Sequence, residues 1–205
     1  MTSPRKVTRI QREKREVILA AALEAFAEDG LRGATLEKIA DKAGMSKPHV
    51  VYYFGSKDAI YTDLLQSLLE VWVQPLRDLS EDADPLAAIL TYMRRKLRMS
   101  QDMPRESKMF ATEILHGAPR MRQQLSGDLK SLVDEKAALI ARWSAEGKIA
   151  KIDPHHLIFS IWAMTQHYAD FDIQVEAVLG DDRKAGLYDE ADAFLTEFFV
   201  RALRP

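Results

Sequence analysis

The sequence predicts an all-α protein of about nine helices, with a small N-terminal helix-turn-helix unit and a larger helical unit after it. Three observations carry this. Apolar residues recur at helical spacing along most of the chain, with almost none of the strict alternation that marks a half-buried strand. The 9 glycines and 8 prolines among 205 residues are few and stand at breaks between the periodic stretches. Charge is unevenly spread: residues 1–57 hold 11 Lys and Arg against 7 Asp and Glu, and residues 58–205 hold 18 against 24, so that +4 and −6 combine to the net −2. A basic end on an otherwise acidic chain suits a polyanionic partner at that end alone.

The basic excess is densest in residues 1–15, where Arg5, Lys6, Arg9, Arg12, Lys14 and Arg15 stand against Glu13. This segment reads as a flexible basic arm. A first helix follows over about 11–28, with Val17, Ala21, Ala25 and Phe26 on one stripe and a stop near Gly30. Thr35 is placed to cap LEKIADKA, which ends at Gly44. Ser46 caps KPHVVYYF, where Pro48 is tolerated because the first turn has no use for its missing N–H. Ser56 caps KDAIYTDLLQSLLEVWV, which Pro75 is expected to end. Further helices are expected at about 85–100, 104–116, 127–147, 154–179 and 189–203. Their breaks are Asp84-Pro85, Met103-Pro104, Gly117-Ala118-Pro119, Gly147 and Asp153-Pro154, with 180–188 as a loop. The domain reading is therefore an arm over 1–15, a helix-turn-helix unit over 16–57 and a larger helical unit over 58–205.

Two short helices joined by Ala43-Gly44-Met45 suit a DNA-binding helix-turn-helix, whose second helix lies in the major groove. Ser46, Lys47, Pro48 and His49 at its start would then face base edges. His49 can donate or accept a hydrogen bond, and Pro48 can touch a thymine methyl. Tyr52 and Tyr53 can offer hydroxyls to phosphate. Thr35 and Ser56 stand at helix N-termini, which favour phosphate, and Lys57 adds charge beside one of them.

Residues 17–57, above all TLEKIADKAGMSKPHVVYYFGSKDAIY, closely resemble the DNA-binding domain of TetR-family transcriptional regulators. The resemblance implies a homodimer, a palindromic double-stranded operator and repression relieved by a small ligand. It matches Thr35, Lys47, Tyr52, Tyr53 and Lys57 to phosphate-contacting positions, and Ser46, Pro48 and His49 to base-facing ones. Gly55 stands where many members have Pro, a change expected to alter the turn little. Residues 134–180, together with EVWVQPLRDL, PLAAILTYMRRKL and the GAP at 117–119, resemble the effector domain of pyrimidine-responsive members of the family. That implies uracil or thymine as effector and genes of pyrimidine catabolism as targets. A different planar or amphipathic ligand on the same scaffold is the alternative.

Pyrimidine chemistry can be set against the residues. A flat ring with a polar rim needs an aromatic face and edge-on donors and acceptors. Trp162 and Gln166 are four apart and share one helix face. The Gln amide offers a donor beside an acceptor, matching an imide N–H beside a carbonyl. Trp72 supplies a stacking face and an indole N–H, and Lys96 supplies a donor to a carbonyl or a charge for a ligand anion. His167 and Tyr168 are secondary candidates. Each has a plainer alternative: tryptophans in a bundle are usually core, a lone Gln is often an interface hydrogen bond, and Lys96 stands in a run with Arg94, Arg95 and Arg98. One side of the last two long helices must face the core (Leu157, Ile158, Ile161, Phe171; Phe194, Phe198, Phe199), and a second apolar stripe would suit a two-fold, four-helix interface.

Other chemistry finds little support. There is no cysteine, which excludes disulfides, thiolate metal sites and a cysteine nucleophile. His155 and His156 are adjacent on a helix and so diverge, and no spacing joins His116, His167 and Asp170 into a metal site or triad. No phosphate loop, dinucleotide fingerprint or nucleophile elbow is present. The expectation is a regulator rather than an enzyme, without cofactor or metal. No apolar run approaches the roughly 18 residues of a membrane helix, and the charged N-terminus lacks a signal-peptide core, so a cytoplasmic protein is expected.

Overall fold

A computed structural model describes residues 9–205; Arg5 and Lys6 of the expected arm lie outside the described residues. Ten helices and no strand are found among the described residues: α1 Arg9–Gly33, α2 Leu36–Lys42, α3 Lys47–Phe54, α4 Lys57–Arg77, α5 Pro85–Asp102, α6 Pro104–Leu115, α7 Lys130–Ala145, α8 Pro154–Asp170, α9 Asp172–Leu179 and α10 Leu187–Leu203. A single turn, Arg122–Gln124, and a π-helical stretch, Leu125–Leu129, lead into α7. No helix of the described residues is long and apolar enough to cross a membrane. The chain divides into two compact units, Met1–Leu68 and Leu69–Pro205, with α4 contributing to each.

In the first unit α1 begins at Arg9, so Arg9–Arg15 are helical rather than part of an irregular arm. The buried stripe of α1 is Ile18, Ala21, Ala22, Ala25 and Phe26; Val17 is 45% exposed and lies off it. Gly30, at φ 67°, kinks the helix where its stop was expected, and the last turn resumes to Gly33. Thr35 caps α2 by accepting the Lys38 N–H at 3.2 Å. Gly44 takes φ 62° and closes α2 in a Schellman turn: its own N–H donates to the Asp41 carbonyl at 3.1 Å, and the Met45 N–H reaches the Ala40 carbonyl at 2.9 Å. That reversal starts α3 two residues later. Phe26 packs edge-on against Tyr61 of α4, with ring centres 5.0 Å apart.

The second unit is organised around α8, which packs on α5, α6 and α7, while α10 packs on α5. Asp84 and Asp153 cap α5 and α8 by accepting the Ala87 and His156 N–H groups at 2.8 and 3.0 Å. Three expectations about boundaries fail. α4 runs through Pro75 to Arg77, because a proline this close to the helix end forfeits one bond, to the carbonyl of exposed Val71. The helix expected over 154–179 breaks at Phe171 (φ −122°) into α8 and α9. The expected loop over 180–188 holds a 3₁₀ turn, Asp181–Gly186, and the start of α10.

Candidate functional site

Two places in the fold gather the candidate residues, one in each unit. In the first unit, Ser46, Lys47, Pro48 and His49 are all exposed at the N-terminus of α3, whose buried anchor is Val50. Against the expectation that it caps α3, the Ser46 side chain makes no cap bond. Tyr52 is 72% exposed and Tyr53 half-buried, their rings edge to face at 5.3 Å. Among the described residues Lys47 pairs with Glu37, at 2.6 Å on the surface, where such a pair contributes little. Beside α3 an open depression is lined by Lys14, Asp41, Gly44, Met45, Ser46, His49 and Tyr53. Lys14 was not singled out from the sequence except as part of the arm, yet the first turns of α1 bring it next to the N-terminus of α3.

Other charges have structural duties. Arg15 donates to the Tyr53 carbonyl at 2.7 Å and to Asp63 at 2.5 Å, and its guanidinium lies 4.0 Å from the centre of the Phe54 ring. It ties α1, the end of α3 and α4 together rather than waiting for a polyanion. Lys57 donates to the Ala34 carbonyl at 2.6 Å and less closely to Arg32, closing the end of α1. Lys38 and Lys42 are engaged with Glu24, Glu28 and Asp29, and those lysines hold the Glu28 carboxyl down to about 2. Ser56 caps α4 by accepting the Ala59 N–H at 3.1 Å. Gly55 sits at φ 77°, which a proline ring cannot adopt, so the turn here differs from one built on Pro and the expectation of little change is corrected.

In the second unit, Trp72, Lys96, Trp162 and Gln166 line one cavity of about 60 Å³ with Leu69, Val73, Leu76, Tyr92, Phe110 and Leu129. By the roughly 10–15 Å³ a single water requires, this is room for about four to six waters. The Trp72 indole is 7% exposed and its Nε1 has no hydrogen-bond partner. Trp162 Nε1 donates to the Tyr92 hydroxyl at 2.5 Å, which leaves the Tyr92 O–H free to donate in turn. Burial raises the Tyr92 phenol well above its usual value, so it stays protonated. Lys96 is 4% exposed, with its ammonium 5.2 Å from the centre of the Trp72 ring. Burial pushes it down to about 8, opposed by the Asp170 carboxylate. Phe110 packs edge-on against Trp72, with ring centres 5.2 Å apart. Lys96 is therefore not part of the solvated run that Arg94, Arg95 and Arg98 form.

Tyr92 and Phe110 were missed from the sequence. Tyr92 stands four residues before Lys96 on one face of α5, a signal of the same kind as Trp162 and Gln166. Phe110 and Leu129 join only through packing. His167 and Tyr168 lie outside this cavity: His167 stacks on Phe171 at 5.1 Å, and Tyr168 faces Tyr188. Leu157, Ile158, Ile161 and Phe199 are buried, whereas Phe171, Phe194 and Phe198 are exposed.

A model of the "Bacterial regulatory proteins, tetR family" matches residues 18–64, and one of the "YcdC-like protein, C-terminal region" matches 65–205. The HTH-type transcriptional regulator RutR of Escherichia coli (strain K12) is 47% identical over 201 residues, spanning 98% of this chain and 95% of that protein. The chain belongs to the TetR family. Solved TetR-like structures share the fold: a transcriptional regulator, SCO4942 of Streptomyces coelicolor, superposes with a TM-score of 0.69 at 23% identity, covering 94% of this chain and 99% of that one. TetR-family regulators bind operator DNA and small-molecule effectors and are dimeric. Among the described residues no group of three or more His, Asp or Glu is arranged to hold a metal. The histidines have other surroundings: His155 lies 3.2 Å from Asp134, and His116 Nδ1 lies 2.7 Å from the Thr112 carbonyl.

Proposed function

We propose that the chain is a homodimeric repressor whose grip on a palindromic operator is governed by a pyrimidine base, uracil or thymine, and that it controls genes of pyrimidine catabolism. The observation that carries this reading is the unpartnered, buried Trp72 Nε1 in a cavity where Gln166, Lys96 and Tyr92 also converge. A buried polar group without a partner is costly, and a flat ring with carbonyl oxygens at its rim supplies what is missing. Trp72 and Trp162 offer aromatic surface for its faces. The Gln166 amide, free of hydrogen bonds within the described residues, pairs with an imide edge. The sequence likeness to pyrimidine-responsive members points the same way.

In the mechanism, the ligand acts by population shift. α4 supplies Ile60, Tyr61, Leu64 and Leu65 to the core of the first unit and Leu69, Trp72, Val73 and Leu76 to the cavity. A ligand that fixes Trp72 therefore acts on a helix that the DNA-binding unit also uses. It favours a dimer state whose two α3 helices no longer match successive major grooves, roughly 34–36 Å apart. The exposed Phe171, Phe194 and Phe198 are the surface assigned to the dimer. On DNA, Ser46, Pro48 and His49 read bases, while Thr35, Lys47, Tyr52, Tyr53 and Lys57 serve phosphates; for Lys57 this contact comes in addition to its bond to Ala34.

Isothermal titration with uracil, thymine, cytosine and uridine tests the reading. Uracil or thymine binds in the micromolar range, cytosine is disfavoured because its amino group adds a donor to a donor-rich rim, and uridine is excluded by its ribose. Gln166→Ala abolishes binding. Absence of heat with all four, confirmed by an unchanged Tm, refutes the pyrimidine assignment.

A further inference from the structure

We infer that the cavity holds its ring as an anion: the effector is an acidic cyclic imide bound in its ionised form opposite the Lys96 ammonium. This rests on the reading of the cavity as a pyrimidine site and specifies the form of the ligand it takes. The first argument is charge. Lys96 is almost fully buried, yet its ammonium makes no hydrogen bond and no close ion pair among the described residues. Buried charges are ordinarily paired, because an isolated one costs far more than it returns. The anion that acts on it, Asp170 at the end of α8, forms no ion pair with it among the described residues: its carboxylate accepts the Ser107 hydroxyl at 2.5 Å and its charge is shared among Lys108, Lys96 and His167. The Trp72 ring gives Lys96 a cation–π contact but no counter-charge. The counter-charge is left for the ligand.

The second argument is the count of donors. Lys96 and Trp72 Nε1 can only donate. The Tyr92 oxygen already accepts from Trp162 and offers its proton. Of the polar groups lining the cavity, the Gln166 carbonyl is the acceptor still open. A neutral imide brings two carbonyl oxygens and N–H groups that compete for that one acceptor. Loss of the imide proton turns the ring nitrogen into an acceptor and enriches both neighbouring oxygens, so the rim of the anion matches the lining. The proton is accounted for in either order of events. A ring already ionised leaves its proton in solvent and meets the ammonium; a neutral ring meeting the neutral amine passes its imide proton to Lys96 Nζ. Both end as ammonium opposite anion. Near pH 7 most Lys96 is protonated before the ligand arrives, so binding of a ring that is neutral in solution releases close to one proton.

The test uses three rings of nearly equal size and rising N–H acidity: uracil, 5-fluorouracil and 6-azauracil. They are titrated calorimetrically at pH 7.5 in two buffers of different ionisation enthalpy. The affinity is expected to rise in that order by about tenfold or more, the equivalent of at least one pKa unit. Uracil should release nearly one proton per site and 6-azauracil fewer. Lys96→Met should flatten the order and abolish the difference in proton release. Trp72→Phe keeps the lysine and should weaken all three rings while preserving their order, which tests the inference even if the lysine variant does not fold. Equal affinities without proton release overturn the inference and leave the pyrimidine reading intact. Failure of all three rings to bind overturns both.

Discussion

Replacing Lys96 by Met is expected to make the ligand-free protein more stable, and only below a defined pH. The ammonium falls from the ordinary lysine value of 10.5 to about 8 because burial penalises its charge. At about 1.4 kcal/mol for each factor of ten, the native state carries about 3 kcal/mol of destabilisation at pH 7 that the unfolded chain does not. Below about 8 both states hold the proton and the whole cost is present. Between about 8 and 10.5 the unfolded chain holds a proton that native Lys96 has released, so stability rises with pH. Above 10.5 neither state holds it and the cost is gone. Methionine fills a similar volume without charge; it forfeits the contact with the Trp72 face, worth about 1 kcal/mol. The net gain at pH 7 is about 2 kcal/mol, which for a chain of this size is a rise in Tm of roughly 4–8 °C. Urea unfolding of both proteins at one concentration, from pH 7 to pH 10, measures the gap directly. A variant less stable at pH 7, or a gap that stays constant with pH, refutes the claim that a desolvated charge is stored in this cavity.

Four further outcomes follow from the first unit. Arg15→Met should lower stability by about 2 kcal/mol, since bonds from a charged donor contribute about 1.5–3 kcal/mol when buried and less here because the pair is partly exposed. It should leave the salt dependence of DNA binding unchanged, whereas Lys14→Ala should keep stability and reduce the slope of log K against log salt by about one. Gly44→Ala should cost about 1–2 kcal/mol in urea unfolding, because φ 62° is unfavourable for any Cβ although space for one is open. His49→Ala should change the preferred bases in a selection from random duplexes, at about 1–3 kcal/mol per affected pair; an equal loss on every duplex would place His49 at a phosphate instead.

The local chemistry of this fold is written plainly in the chain. Thr35, Ser56, Asp84 and Asp153 are caps at the positions that their types suggest, because a cap is satisfied within three residues of itself. The Gly44 turn is legible for the same reason. The Trp162 and Gln166 pairing is legible as a helix-face spacing, and the cavity that receives it also takes Trp72 and Lys96 from two other helices. Breaks that depend on packing are not legible. Phe171 carries no breaker residue, and the Leu125–Leu129 stretch carries no sign of its π-helical winding. Pro75 misleads in the opposite sense, since the rule for proline concerns a helix interior and says little about its last turn.

Charge is where composition and structure diverge most, and the divergence has a functional sense. Counting alone gives the N-terminal region a basic excess and assigns its cations together to a polyanion. The structure divides them by geometry. Arg15, Lys38, Lys42 and Lys57 bond to carboxylates and carbonyls within their own unit. Lys47, held by one exposed carboxylate, and Lys14, on the open rim beside α3, keep the freedom to follow a phosphate. On the proposed reading, in which the effector releases the operator, this division is an advantage. On that reading, the cations fixed in the scaffold hold α3 in shape whether or not DNA is present, while Lys47 and Lys14 supply a binding energy that a ligand can overcome. Each phosphate contact steepens the salt dependence of binding by roughly one charge. On the proposed reading, the lysines free of scaffold duty add to the contacts of Thr35, Tyr52, Tyr53 and Lys57, and together these contacts set the differential affinity that the effector must supply to reverse operator binding.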